Sequence, residues 1–430
     1  MQKPLGRELG DWIVSAPATD LSPMAADAHR ATHMSNASPL ALLLNIGHAL
    51  DHLFLLIFAT AVSAIAADFG LARWEDLMPY TVGAFAMFGL ASIPAGRLGD
   101  LWGRRAMMVI FFFGIGASSF LVAATQNAWQ MAAALTVLGV FAAIYHPVGI
   151  PMLVQNALRP GLTIGINGLA GNLGIASAAL LTGLLVKFFG WRMAFIVPGV
   201  ISMVCGVLFL LLTPREAMAP ARRPRTQAVL PRAVMLRIVF VMTATAVTAN
   251  LIFNFTTNGN GELLRERFRG IVEDPATLGM LLAAVYGVGS FAQLIVGRLI
   301  DKHPLKRLYL AIAMVQVPLF ALAAFSDGWA LWVLAVGFMA FVFGAIPFID
   351  AMIVRYVDDA MRSRVSGMRL AIGLGVSSFA VWLLGPLVKA SGFSTLLLAM
   401  AAIAACTVAF IALLPGEAET RPVPVSAPAE

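Results

Sequence analysis

Long apolar runs separated by short polar breaks dominate this chain. By length and interruption they fall at roughly 39–67, 78–97, 105–125, 128–156, 162–188 and 191–213, then at 233–257, 277–299, 306–325, 329–354, 363–390 and 393–414. Each is close to the roughly 20 residues that a helix needs to cross a bilayer core. The runs are continuously apolar, without the alternation of a membrane barrel strand. The predicted fold class is therefore an all-α polytopic membrane protein with about twelve transmembrane helices as two six-helix halves, a 6 + 6 pseudo-repeat.

Only one interior stretch is long, polar and proline-rich. Residues 214–232 hold Pro214, Arg215, Arg222, Arg223, Pro224, Arg225, Pro231 and Arg232. They read as a cytoplasmic linker between an N-terminal half at 39–213 and a C-terminal half at 233–414. Residues 1–38 lack a continuous apolar core, so they are expected to be an N-terminal cytoplasmic tail and not a signal peptide. Residues 415–430 are expected to be a C-terminal tail.

Composition sharpens this. A chain that is 60% hydrophobic and 12% charged has too little polar surface for a large soluble protein. A net charge of +7 in a soluble chain would suggest nucleic acid. Here it suggests anchoring of cytoplasmic loops, with membrane lipid and not nucleic acid as the partner. Connections after even-numbered spans carry Arg97, Arg104, Arg105, Arg159, the arginine-rich linker, Arg298, Lys302, Lys306, Arg307, Arg355, Arg362 and Arg364. Connections after odd spans are thin, apart from the mixed-charge stretch 262–274, read as a short surface helix outside. Both termini are then cytoplasmic.

Cys205 and Cys406 fall inside apolar runs and read as packed thiols. The 21 methionines read as packing, and neither a metal nor another cofactor is expected. No phosphate-binding loop or nucleophile elbow is present, so the chain is not expected to be an enzyme.

The charged residues are not scattered. Gly96-Arg97-Leu98-Gly99-Asp100-Leu101-Trp102-Gly103-Arg104-Arg105 lies between spans two and three, and Gly297-Arg298-Leu299-Ile300-Asp301 echoes it in the second half. Gly183, Lys187 and Gly190 recur at the same spacing as Gly385, Lys389 and Gly392, and Gly165 recurs as Gly367. Gly96 and Gly103 allow tight helix approach and a sharp turn. Asp100 can pair with arginine, and Arg104 and Arg105 can hold the loop at anionic lipid. Arg369, just inside span eleven, is a candidate partner for Asp100 across the halves, and Asp301 is the weaker counterpart in the second half. This set reads as a gate.

Gly96-x-Leu98-x-Asp100-x-x-Gly103-Arg104-Arg105 resembles the loop signature of the major facilitator superfamily, and Gly190-Trp191-Arg192-x-x-Phe195 resembles a second recurrent element. The resemblance covers roughly residues 39–414. Gly47-His48-x-x-Asp51, Tyr145-His146-Pro147 and Gly171-Asn172-Leu173-Gly174 together are similar to the fosmidomycin-resistance-type branch of drug:proton antiporters. In that branch a carboxylate follows the His-Pro pair, whereas here Val148 and Gly149 follow. The resemblance implies a secondary transporter, working as a monomer in the inner membrane of a bacterium, with a small-molecule substrate and protons as partners.

Ionisable groups within spans are costly and usually face a cavity or a partner. His48, Asp51 and His52 sit at i, i+3 and i+4, on one face of span one. Asp51 is the candidate for proton coupling, helped by His48 or His52. A fixed Asp51–His48 structural pair is the competing reading. Tyr145 and His146 precede Pro147, which frees a backbone carbonyl and bends span four. With Asn172 in span five, and Asn250 and Asn254 four apart in span seven, they are candidates for a substrate cavity. The same asparagines can instead bond a neighbouring helix. The expected function is proton-coupled export of a small organic compound by alternating access. The alternatives are proton-coupled import of an organic anion or nutrient, and a non-transporting membrane sensor.

Overall fold

The computed structural model describes residues 38–154, 160–213, 232–300, 302–356 and 359–416. The linker at 214–231 and residues 1–37 and 417–430 of the tails lie outside them. The described helices are α1 (Pro39–Asp68), α2 (Val82–Leu90), α3 (Ser92–Trp102), α4 (Arg104–Ala123), α5 (Ala128–Ala142), α6 (Ile150–Val154) and α7 (Pro160–Phe189). They continue with α8 (Trp191–Leu212), α9 (Arg232–Arg267), α10 (Pro275–Ile300), α11 (Leu305–Ala323), α12 (Gly328–Tyr356) and α13 (Asp359–Ala412). Among the described residues there is no strand, and 11 helices are long and apolar enough to cross a membrane. The last is broken at Gly392, where φ is 75°. It therefore holds two passes, and the expected pairing of six spans with six spans is present.

Local chemistry explains the ends. Ser38 caps α1 by accepting from the Ala41 N–H at 3.2 Å, and Pro39 takes the first turn, where no amide donor is needed. Asn127 caps α5 in the same way, accepting from Gln130 N–H at 3.0 Å. Gly103, Gly190 and Gly392 have φ of 90°, 84° and 75°, a region open to glycine. The recurrence of Gly190 as Gly392 thus marks one sharp turn used twice. At Tyr145–Gly149 span four widens into a π-turn around Pro147, the local response to a missing amide donor.

Some boundaries differ from expectation. Span seven does not stop near 257: α9 continues to Arg267. Glu262 is buried within it and held by Arg265 at 3.2 Å, so residues 262–267 of the expected separate surface helix are instead the last turns of span seven, and 268–274 form a turn and short loop. Cys205 is buried but Cys406 is exposed on the helix surface, correcting its reading as a packed thiol.

α7 meets α10 over much of its length: a Cβ on Gly168 would stand 3.2 Å from Gln293 Oε1, and the tightest contacts lie at the end of the bundle remote from Thr213 and Arg232. There α7 crosses α10 so closely that a Cβ on Gly183 would stand 2.6 Å from the Pro275 carbonyl oxygen. The other half repeats the contact: a Cβ on Gly385 would stand 2.3 Å from the Glu75 carbonyl oxygen, and Trp74 stacks on Phe393 at 6.1 Å. Each crossing carries an ion pair, Lys187 with Asp274 at 2.8 Å and Lys389 with Asp76. The repeated lysines therefore do the same work in both halves. The Lys187 ammonium, followed by the Thr277 hydroxyl, holds the Asp274 carboxyl below its ordinary value of 3.8. A lowered carboxyl pKa means that the link is intact above the ordinary value and is lost as pH falls through the lowered one. It is thus insensitive to pH across the neutral range.

The apolar core follows the same division. One cluster runs through both halves toward this remote end. A second, around Tyr309 and Phe348 stacked at 4.4 Å, belongs to the C-terminal half alone, near the linker side. The polar anchors Trp191 and Arg192 both donate to Asp68, at 3.2 and 2.8 Å, and Arg192 also reaches the Thr125 carbonyl at 3.1 Å. That explains the Gly190-Trp191-Arg192 element: one turn ties three connections together.

The Gly183 crossing makes a direct test. Gly183→Val should destabilise the closed remote end by roughly 1–3 kcal/mol through overpacking. Spin labels across that end, read by pulsed dipolar distances, should show a longer population than in wild type. An unchanged distance distribution would rule out this crossing as the closure point.

Candidate functional site

The site lies where α1, α7 and the π-turn of span four converge. Two glycines set the approach. A Cβ on Gly174 would stand 2.1 Å from the Ala49 carbonyl oxygen, so α1 and α7 run almost backbone to backbone. A Cβ on Gly171 would stand 2.7 Å from His48 Cε1 and 2.9 Å from His52 Cδ2, so only glycine leaves room for both rings.

This closeness brings the Asn167 backbone carbonyl to His48 Nδ1 at 2.7 Å. A carbonyl only accepts, so His48 Nδ1 carries the hydrogen. The neutral ring then presents Nε2 as an acceptor, and His52 Nε2 donates to it at 3.1 Å. The Asn167 side chain donates to Asn45 Oδ1 at 2.9 Å and to the Tyr145 hydroxyl at 2.7 Å, while Tyr145 donates to the Leu44 carbonyl at 2.8 Å. Tyr145 also stacks on His48, with ring centres 4.8 Å apart and planes 10° from parallel.

Asp51 is fully buried, with 0% exposure. Neither of its oxygens has a hydrogen-bond partner among the described residues. Its nearest imidazole is His146, whose Nε2 lies 3.5 Å from Oδ2 and whose side chain is 25% exposed. The π-turn supplies that placement by turning Tyr145 inward and His146 beside it. His146 meets His48 edge-on at 5.1 Å, His52 at 5.7 Å and Phe88 at 5.7 Å. The Asp51–His48 pair considered above is therefore corrected: His48 is engaged by Asn167 and His52, and the carboxylate faces His146.

Other expected positions separate from this centre. Tyr145 has 0% exposure and acts as a buried strut, not as an exposed cavity wall. Asn172 is buried, with its amide nitrogen unpartnered among the described residues. Asn250 donates to its own helix at Ala246, and Asn254 donates to the Ser377 hydroxyl at 2.8 Å, tying α9 to α13. These two serve packing within the C-terminal half.

In the loop motif, Gly96 lies against Pro147, 3.3 Å from a built Cβ. Arg105 donates to the Thr213 and Leu210 carbonyls at 2.9 and 2.6 Å, closing the C-terminal end of α8. Arg104 opens α4 directly after Gly103. The side chains of Asp100 and Arg369, and the whole of Asp301, lie outside the described residues. The suggested Asp100–Arg369 contact falls on them.

Asn45 and Asn167 were not among the sequence candidates. Both carry the signal that selected Asn172, a polar side chain in an apolar run. Asn45 also shares the His48 and His52 face, at i, i+3 and i+7.

The family model of the Major Facilitator Superfamily matches residues 44–268, more than half of the chain. The chain belongs to this superfamily. Multidrug resistance protein MdtG of Dickeya zeae is 25% identical over 332 residues, which are 74% of this chain and 79% of that protein. A probable actinorhodin transporter of Streptomyces coelicolor is 29% identical, over 39% of this chain and only 29% of its own length. The 4-hydroxybenzoate transporter PcaK of Pseudomonas aeruginosa is 27% identical, over 36% of this chain and 35% of its own length. Among solved structures, a D323A mutant of the nucleoside transporter NupG matches with a TM-score of 0.68 and 16% identity, over 87% of this chain and 100% of that one. A bacterial homologue of the human lysosomal transporter Spinster, in an inward-facing and occupied conformation, matches with a TM-score of 0.65 and 16% identity, over 87% and 93%. These structures share the fold.

Tyr145→Phe tests the strut. It removes the hydroxyl bridging Asn167 and Leu44 and should lower unfolding stability by roughly 1–3 kcal/mol in chemical denaturation. Stability equal to wild type would mean that the hydroxyl does not brace the site.

Proposed function

We propose that this chain is a secondary transporter that exports a small organic compound in exchange for protons. Rocking of the two six-helix halves about a central site would give alternating access. The observation that carries the reading is Asp51, a fully buried carboxylate without a hydrogen bond, 3.5 Å from the imidazole of His146. A buried carboxylate without a hydrogen bond is unfavourable when ionised, so it favours a bound proton or a cationic neighbour. Asp51 is the proposed coupling residue, and His146, His52 and His48 exchange its proton. Export is supported by the MdtG relatives, which carry the name multidrug resistance and align over most of both chains. The similarity to the fosmidomycin-resistance-type branch supports the same direction.

The basic connections support an orientation with both termini in the cytoplasm of a bacterial cell and the spans in its inner membrane. In that orientation the end where Gly183, Gly385 and the two lysines join the halves faces outward. The proposed units are the tail 1–38, the halves 39–213 and 233–414, the linker 214–232 and the tail 415–430. The loop motif from Gly96 to Arg105 then lies at the cytoplasmic surface beside anionic lipid, and a monomer suffices for this cycle.

Reconstituted vesicles with a pH-sensitive dye inside test the reading. A substrate gradient should drive proton movement in the opposite direction with wild type, and Asp51→Asn should reduce that flux to background. Equal flux in both proteins would remove Asp51 from the coupling role. Substrate and protons moving in the same direction would overturn export.

A further inference from the structure

Three imidazoles meet in this chain at metal-ligand range, and a carboxylate stands beside one of them. One ligand atom from each of His48, His52 and His146 lies within 4.8 Å of the others. Asp51, the buried carboxylate without a hydrogen bond, stands 3.5 Å from His146 Nε2. We propose that the three histidines form a binding site for a divalent d-block cation of the zinc, cobalt and nickel class, with Asp51 as the carboxylate beside His146.

Four features support such a site. Its donor set, three imidazole nitrogens with a fourth position left for water, suits a borderline-soft ion in tetrahedral geometry. Calcium or magnesium would need more oxygens, and no thioether is part of the cluster. Its charge fits as well, because a carboxylate buried in an apolar bundle favours a cation beside it. Its outer shell is built, since the Asn167 carbonyl takes the His48 Nδ1 hydrogen and leaves Nε2 directed at the cluster. Its access is open, because His52 and His146 are partly exposed while His48 and Asp51 are buried behind them.

The His48–His52 pair needs little adjustment, and the third imidazole has to close in from within 4.8 Å. Two nitrogens on one tetrahedral ion, each bonded at about 2.0 Å, are roughly 3.3 Å apart. His48 Nε2 and His52 Nε2 are 3.1 Å apart, held by a single shared hydrogen. On binding, His52 carries that hydrogen on Nδ1 instead, and both Nε2 atoms turn to the ion. No proton is lost in this exchange. Gly171 leaves the space in which the two rings can part.

The inference rests on equilibrium binding and not on the coupling reading, so the two fail separately. Full-length protein, purified with any affinity tag removed and treated with chelator, is titrated with Co²⁺ and followed by visible absorption. Wild type should bind one Co²⁺ per chain with the intense ligand-field bands of a tetrahedral site. His52→Ala combined with His146→Ala should weaken that binding by at least about 100-fold, each lost ligand counting about tenfold or more. His146→Gln alone, which keeps the side-chain volume closer, should weaken it by at least about tenfold and change the bands. Each variant is accepted only if it elutes as a single species. The histidines outside the cluster, His29, His33 and His303, provide the control: replacing all three by alanine should leave the bands unchanged. Absence of saturable binding to wild type would overturn the proposal. So would binding that survives the cluster variants, or binding that disappears in the control.

Discussion

The near-contact of α1 with α7 is the constraint on which the site depends. At Gly174 the two backbones approach to a distance that excludes any side chain. Inside a bilayer this contact has no hydrophobic drive, because lipid tails are as apolar as the helices. Close packing and interhelical hydrogen bonds have to supply the attraction. The Asn167 carbonyl on His48, the Asn167 amide on Asn45 and Tyr145, and the Tyr145 hydroxyl on Leu44 supply it here. The same bonds that join the helices also orient the imidazoles. Packing and chemistry are therefore not separable in this half.

Asp51 sits inside that framework without sharing in it. Every neighbour that fixes the rings leaves the carboxylate unsatisfied. A buried polar group without a partner is costly, and such costs concentrate where a protein works. The π-turn at Tyr145–Gly149 belongs to the same pattern, since an irregular turn inside a helix often marks a functional position. Here it is what presents Tyr145 and His146, consecutive residues, to two different tasks.

The two halves differ in how they use one repeat. At the remote end the repeat is followed closely: Gly183 and Gly385 make the crossings, Lys187 and Lys389 the ion pairs, and Gly190 and Gly392 the turns. Near the centre it is not. The N-terminal half concentrates histidines and a carboxylate, while the C-terminal half places Asn250 and Asn254 in bonds within and between its own helices.

The sequence by itself determined the number and order of the spans, the paired halves and the sharp glycine turns. Those follow from local rules: span length is set by bilayer thickness, and positive φ by the absence of a Cβ. It also singled out His48, Asp51, His52 and His146, because charge in an apolar run is visible without a fold. It did not reveal which of them meet. The i, i+3 spacing joined Asp51 to His48, but the tertiary structure turns His48 to Asn167 and gives Asp51 to His146 from another helix. Spacing along one helix fixes only a shared face. Distances between helices are decided by where glycines let the backbones touch, and that became legible only with α1, α7 and span four in place.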